Sequence, residues 1–347
     1  MIIKTTKELL EKHKKLIIEF VKKRVGRVKG IDLFFERTGK VVSRHILASG
    51  LKSVRLELEA VKKLDDPDLD DIEDLIKWKK KVQKKKFDRY NKKDVVVLEP
   101  EPFGIWVIGD PHLDNDGCDF DLLLSEMKMV QSSPTKIYAS CVGDLNDNWI
   151  GRLGMLYNNT SITAEDGWKL SKWFLSQLNW LFFVGGNHDA WANRAGINPL
   201  SWLCSLTSVA AYGEDEVRLE IQFNESKGKF EKIIIQARHD HKGRSWFHPT
   251  HGPNKESMLD GEGHIFVSGH IHSWAYLQTE QRHGRLTHAI RLKGYKQIDS
   301  YAKKNQFFTQ IHGASCLIVI DPQKKGPSRI NVFWDLESGI RYLNSIN

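Results

Sequence analysis

The sequence predicts an α/β domain built on a mixed sheet or on two packed sheets, preceded by a basic helical segment. Three observations carry that expectation. From Val95 onward, short β-branched apolar runs end in turn residues, as buried strands do. The earlier runs alternate with helical stretches, whereas the later ones follow one another across short turns. Before Val95 the apolar residues recur at helical spacing among lysines and arginines. The expected division is a helical domain over residues 1–95 and an α/β domain over residues 96–347.

Taken in order, Leu9, Leu10, Leu16, Ile17, Phe20 and Val21 mark a first helix from Thr6 to Arg24. Short helices are expected over 31–38 and 43–47, with Gly50 as punctuation and Ser53 capping a further helix to Leu64. Residues 65–71 form an acidic turn, and Ile72 to Tyr90 reads as a long basic helix. The strand-like runs are VVVLEP, GIWVIGD, KIYASCVGD, LFFVGGNHD, VRLEIQF, KIIIQARHD, HIFVSGHIH, RLTHAIRLKG, ASCLIVIDP and RINVFWDL, with a helix over 165–178. The segment 191–212 interrupts the alternation and reads as a helical insertion over one rim.

Composition narrows the class. A hydrophobic content of 40%, with 10% aromatic residues, supports a real core and argues against global disorder. No apolar run is long enough to span a bilayer and the first residues lack an apolar signal core, so a soluble cytoplasmic protein without membrane contact is expected. Cys118, Cys141, Cys204 and Cys316 are scattered without a CxxC pair, which excludes a cysteine zinc site and favours buried free thiols. The net charge of +8 is uneven: residues 1–98 hold 27 Lys and Arg against 16 Asp and Glu. All of the basic excess therefore lies in the first segment, which points that segment toward an anionic partner.

The chemistry is concentrated where strand-like runs end. These ends carry Asp110-Pro-His112, Asp144 with Asp147, Asn187-His188-Asp189, a strand-end His239, and His270-Ile-His272. Side chains just beyond strand ends can converge on one sheet edge, and residues two apart on a strand face the same way. Carboxylate and imidazole donors without thiolates suit manganese, zinc or iron(II). Two such ions at the spacing used for displacement at phosphorus would require a bridging carboxylate. His239 and His241 share alternation parity and either could reach a metal, with His239 the nearer to the apolar run.

The ordered set DxH, GDxxD, GNHD, lone His and GHxH resembles the calcineurin-like metallophosphoesterase family over roughly residues 100–320. The resemblance implies a four-layer αββα sandwich and two divalent metal ions, manganese first. It implies one metal on Asp110, His112 and His272, the other on Asn187, His239 and His270, and Asp144 bridging. His188 would stabilise the transition state or protonate the leaving oxygen, oriented by Asp189, while Asp147 supports its turn. Arg244, His248 and His251 follow the presumed metal strand and are candidate substrate contacts. Of the tryptophans, Trp149, Trp191 and Trp202 flank the motifs or the insertion, where one could stack on a base; core packing is the simpler role.

In the first segment, the stretch 31–61 has the outline of a small helix-turn-helix, turning at Gly39. Its layout is similar to phage-encoded members of the same family that carry such a module. It would place Arg44 and Lys52 near a duplex, with Lys79, Lys80, Lys84, Lys85 and Lys86 on the basic helix as further phosphate contacts. The expected function is a metal-dependent phosphodiesterase, with nucleic acid as partner and DNA cleavage as the leading activity. The alternative is a small-molecule phosphoesterase whose amino-terminal helices serve assembly.

Overall fold

The structure is a computed structural model that describes residues 2–3, 5–23, 27–64, 72–90, 93–195, 197–243, 245, 247–297 and 311–347. It divides into two compact units, Met1–Asn91 and Lys92–Asn347.

In the first unit, β1 (Ile2–Ile3) is followed by α1 (Thr6–Lys22), α2 (Arg27–Thr38), β2 (Val41–Val42), α3 (Arg44–Leu64) and α4 (Ile72–Tyr90). Thr5 caps α1 by accepting the Glu8 N–H. Strands β1 and β2 pair in parallel, and Leu9, Ile17, Phe20, Phe34, Leu47 and Val54 form a separate small core. Two expectations change here. The helices expected over 43–47 and 53–64 are one continuous α3, and Gly50 lies buried within it. A Cβ at Gly50 would come within 2.7 Å of the Leu9 side chain, so the glycine lets α1 and α3 pack closely instead of breaking the helix. The expected three-helix outline is thus α2, a turn at Gly39 with φ +62°, and a single long helix. Arg44, Lys52, Lys79, Lys80 and Lys84 are exposed. The acidic turn 65–71 and the side chains of Lys85 and Lys86 lie outside the described residues.

The second unit opens with β3 (Asp94–Leu98), so the sheet begins slightly before the expected boundary at residue 96. Then come β4 (Phe103–Ile108), α5 (Phe120–Ser132), β5 (Ile137–Cys141), α6 (Ala164–Ser176), β6 (Trp180–Val184), α7 (Asn187–Trp191) and α8 (Pro199–Leu206). They are followed by β7 (Val209–Gly213), β8 (Glu216–Phe223), β9 (Ile233–Arg238), α9 (His251–Asp260), β10 (Ile265–Ser268), β11 (Ala275–Glu280) and β12 (Leu286–Arg291). The chain closes with β13 (Ser315–Ile320), β14 (Ile330–Phe333) and α10 (Leu336–Ile346).

The strands form two six-stranded sheets, β14-β13-β4-β5-β6-β7 and β11-β12-β10-β9-β8-β3. Alternation along β4 shows how they stack. Phe103, Ile105 and Val107 face the second sheet and pack with Leu219, Ile235 and Val267. Trp106 and Ile108 face outward against Leu123, Phe174, Leu203 and Leu343 of α5, α6, α8 and α10. The other sheet is covered by α9, which packs on β10 and β12. The architecture is the four-layer αββα sandwich that the sequence implied.

Segment 191–212 is only partly the expected insertion, because Val209–Gly213 joins β6 in parallel as the edge strand β7. Helix α5 escaped the sequence reading although Leu123, Glu126, Met127 and Val130 are its buried stripe. A carboxylate interrupts that apolar stripe. Glu126 is buried because the Tyr295 and Ser315 hydroxyls donate to it.

Strands β4, β5 and β6 are parallel neighbours, as are β9 and β10 in the facing sheet, so their carboxyl ends share one rim of the sandwich. Close packing at that rim demands glycine. A Cβ at Gly269 would sit 2.3 Å from Asp110 Oδ1, and one at Gly186 would sit 2.0 Å from Asp144 Oδ1. Gly269→Ala is expected to destabilise the fold by about 1–3 kcal/mol through overpacking against Asp110. Thermal unfolding checks this, and a wild-type midpoint would show that the rim yields freely.

Candidate metal centre

Five turns deliver the polar side chains to this rim. Beyond β4, Asp110 is fully buried, and its Oδ2 accepts the His270 N–H at 2.7 Å. His112 N–H donates to the Asp144 carbonyl at 3.0 Å, joining the first two turns. Beyond β6, Asn187 and His188 open the short α7, where the His188 N–H donates to Asp144 Oδ1 at 2.9 Å. His112, Asp144, His270 and His272 all have left-handed backbones, with φ of 45°, 52°, 70° and 46°. Such conformations cost about 1–3 kcal/mol each outside glycine and persist where the surroundings hold them.

The donor atoms converge in three groups. Asp110, His112 and His272 form the first and Asp144, His239 and His270 the second, while His112, Asp147 and His188 form a third; ligating atoms inside each group all lie within 4.8 Å of one another, and the first two hold the motif ligands. His239 is the pivot of the second group. Its Nδ1–H donates to the Val142 carbonyl at 2.8 Å, which leaves Nε2 facing Asn187 Oδ1 at 3.0 Å, His270 Nδ1 at 3.1 Å and Asp144 Oδ2 at 3.1 Å. Asp144 Oδ2 also lies 3.9 Å from His112 Nε2, so one carboxylate stands between the first two groups. Among the described residues, Asp110 Oδ1 and His112 Nε2 are buried without hydrogen-bond partners. Buried polar atoms are normally satisfied, and a divalent cation would satisfy this set of carboxylate, imidazole and amide donors.

The electrostatics match. Burial raises the Asp110 pKa to about 6 despite the opposing pull of His239. For His239, burial lowers the pKa but the Asp144 and Asp110 carboxylates outweigh it, to about 10. Asp144 moves the other way, its burial overcome mainly by His239, and lies below the ordinary carboxylate range. Burial first, and then the charge on His112, holds His272 well below the usual histidine value. Without metal, a proton at His239 thus plays part of the role a cation would take.

A second tier of contacts holds these groups. Asp147 Oδ1 lies 2.7 Å from His112 Nδ1 and 3.2 Å from Lys296 Nζ, so Asp147 does more than support its turn: it fixes the His112 ring. Among the described residues Asp189 makes no hydrogen bond to the His188 ring that the resemblance assigns it to orient. Its carboxylate accepts the backbone N–H groups of Leu145 at 3.1 Å and Gly186 at 2.8 Å, tying the β5 and β6 turns together. The His188 ring is held instead by Nδ1–H donation to the Asp147 carbonyl at 2.5 Å and by contact with Trp149 and Trp191. Burial lowers the His188 pKa below the ordinary value.

His241 is outside all three groups, because β9 ends at Arg238 and the chain turns before parity could carry a second ring inward. Its ring is buried, and burial together with Arg238 and Arg291 lowers its pKa to about 3. His248 is exposed on the loop leading into α9 and His251 is exposed at the start of that helix, and neither joins a converging group among the described residues. Arg244 lies outside the described residues. Lys296 was missed. It carries no motif, and it reaches the rim because Tyr295 N–H bonds to the Asp110 carbonyl. The fully buried Arg291 was missed too; it donates to the carbonyls of Gly269 at 2.7 Å and Pro249 at 2.8 Å and so braces the His270 turn.

No family model and no curated protein matches the sequence. Among solved structures, NAD nucleotidase from Haemophilus influenzae is 11% identical with a TM-score of 0.33, covering 67% of this chain and 49% of its own. A 5'-nucleotidase precursor from Thermus thermophilus is 9% identical with a TM-score of 0.35, covering 70% and 58%. Calcineurin-like phosphoesterase YfkN from Bacillus subtilis is 9% identical with a TM-score of 0.35, covering 71% and 97%. This chain thus spans less than two thirds of the first two. The functional reading rests on the geometry of the rim itself.

A cation at the second group must displace the proton on His239. Because the pKa there is about 10, Mn²⁺ binding near pH 8 should release protons, and affinity should rise with pH toward that value. Titration calorimetry in buffers of different ionisation enthalpy reads the release. Heats independent of buffer would show that His239 is not displaced from its proton by metal.

Proposed function

We propose that the chain is a calcineurin-like, dinuclear-metal phosphodiesterase acting on nucleic acid. The observation that carries this reading is the Asp144 carboxylate set between two converging donor groups, each supplied by the motif residues in family order. One metal would be held by Asp110, His112 and His272, and the other by Asn187, His239 and His270, with Asp144 shared. When bound, two divalent ions lower the pKa of water and neutralise the non-bridging phosphate oxygens.

The chain's own residues supply the rest. Asp147, itself paired with Lys296, sets the direction of His112 Nε2. His239 is fixed as a ligand by the Val142 carbonyl, which takes its other ring hydrogen. His188 keeps Nδ1 occupied by the Asp147 carbonyl, so Nε2 is the atom that can deliver a proton to a leaving oxygen. Its lowered pKa makes the imidazolium a stronger acid but a minor form near neutral pH, so Nε2 must take up a proton before it can deliver one. The basic excess of residues 1–98 supports a polyanionic substrate, with Arg44, Lys52 and the lysines of α4 as phosphate contacts.

With Mn²⁺, hydrolysis of bis(p-nitrophenyl) phosphate and of single- or double-stranded DNA is expected, and Asp144→Asn should lower kcat/KM by more than ~100-fold, since it removes the shared ligand. Activity confined to p-nitrophenyl phosphate would replace the diesterase reading with a monoesterase one.

Recruitment is a separate matter. Replacing Lys79, Lys80 and Lys84 together by Glu should cost at least about tenfold more on long DNA than on the small diester at low salt. Equal losses on the two substrates would remove the amino-terminal helices from substrate capture.

A further inference from the structure

Resting on the phosphodiesterase reading, we infer that Trp191, backed by Trp149, forms a stacking subsite for one nucleobase next to the scissile phosphate, making the preferred substrate a nucleoside phosphodiester.

A continuous series of rings leads from the metal groups to this place. His272 stacks on His112 with centroids 5.3 Å apart, His112 meets His188 edge-on at 5.1 Å, and His188 meets Trp191 at 4.2 Å. Trp149 closes the wall, 5.0 Å from His188 and 6.2 Å from Trp191. The two indoles are not equivalent. Trp149 is buried, and the Lys296 ammonium lies 5.0 Å from its ring centroid, so it is fixed as a backing. Trp191 is only half-buried and sits at the last turn of α7, which begins with Asn187 and His188. Its position is therefore tied by a single turn of helix to the residues that face the phosphate.

Core packing does not account for this placement. Among the described residues Trp191 belongs to neither hydrophobic cluster of the sandwich, whereas Trp106 and Trp180 belong to one and Trp149 is buried. A half-buried indole beside the His188 imidazole can stack on an uncharged planar group. In a nucleic-acid substrate that group is the base neighbouring the phosphate. Stacking of this kind tolerates any base, because every base has a π-face. Trp202, the other candidate near the motifs, is exposed on α8 and makes no ring contact with His188 among the described residues. The same contact brings the base to the side of His188, which the proposed function sets at the leaving oxygen, so the subsite should serve the leaving nucleoside.

The test uses the metal-loaded full chain and three dinucleotides, with products separated by chromatography. They are thymidylyl-thymidine and two analogues in which one or the other thymine is replaced by hydrogen on the sugar. Removing the leaving nucleoside's base should lower kcat/KM by roughly tenfold to a hundredfold, the range expected for one base–aromatic stack. Removing the other base should cost much less. In Trp191→Leu the penalty for the missing base should collapse toward one, and Trp191→Phe should restore most of it. Equal rates on all three substrates in the wild type, or an unaltered penalty in Trp191→Leu, would overturn the subsite. If Trp191→Leu fails to fold, the wild-type comparison and Trp191→Phe still decide. Failure to cleave any dinucleotide or bis(p-nitrophenyl) phosphate would instead count against the phosphodiesterase reading.

Discussion

Two buried carboxylates and several imidazoles are gathered at one end of a sandwich, and the structure depends on how their charge is neutralised. Removing an ion from water costs several kcal/mol even after relaxation, and the cost is recovered only with good partners. Asp144 shows the solution. Its Oδ1 accepts a backbone N–H from His188, and its Oδ2 stands between His239 and His112. Asp110 is compensated less fully, and so burial raises its pKa. The difference between these two acids follows from which has the closer imidazole: His239 lies 3.1 Å from Asp144 and 3.7 Å from Asp110.

That gathering dictates backbone shape. The turns after β4, β5 and β10 must aim side chains inward within two to four residues of the strand end, which drives His112, Asp144, His270 and His272 into left-handed conformations. The neighbouring glycines let the turns approach one another without a Cβ between them. Supports then lock the result. Asp189 straps two turns, Arg291 holds the His270 turn, and Asp147 holds the His112 ring. Glu126 anchors Tyr295, whose own N–H contacts Asp110 and whose successor is Lys296. A site assembled this way is preorganised by buried hydrogen bonds and does not rely on loop rigidity.

The motif residues were legible because their chemistry is local. DxH and GHxH place donors two residues apart, GNHD puts an amide beside an imidazole, and each follows a β-branched run long enough to be recognised as a strand. The supports were not legible for the opposite reason. Lys296 and Asp147 are 149 residues apart, and Glu126 and Tyr295 are 169 apart. Nothing near Lys296 distinguishes it from a surface lysine. Glu126 hid an entire helix by placing a charge on its buried face, and Gly50 suggested a break where close helix contact required a small residue.

The sequence by itself therefore determined the order of strands, the basic character of the first segment and the donor residues at the strand ends. Those properties follow from hydrophobic period, charge and residue chemistry, which are functions of neighbouring positions. Tertiary structure alone decided that His239 and not His241 enters the cluster, that Asp189 straps backbone while the Asp147 carbonyl orients His188, and that Trp191 stands half-buried beside His188. These outcomes depend on where one strand stops and on which distant turn it meets. A distance of a few ångströms between residues far apart in the chain is set by sheet packing, and no local pattern encodes it.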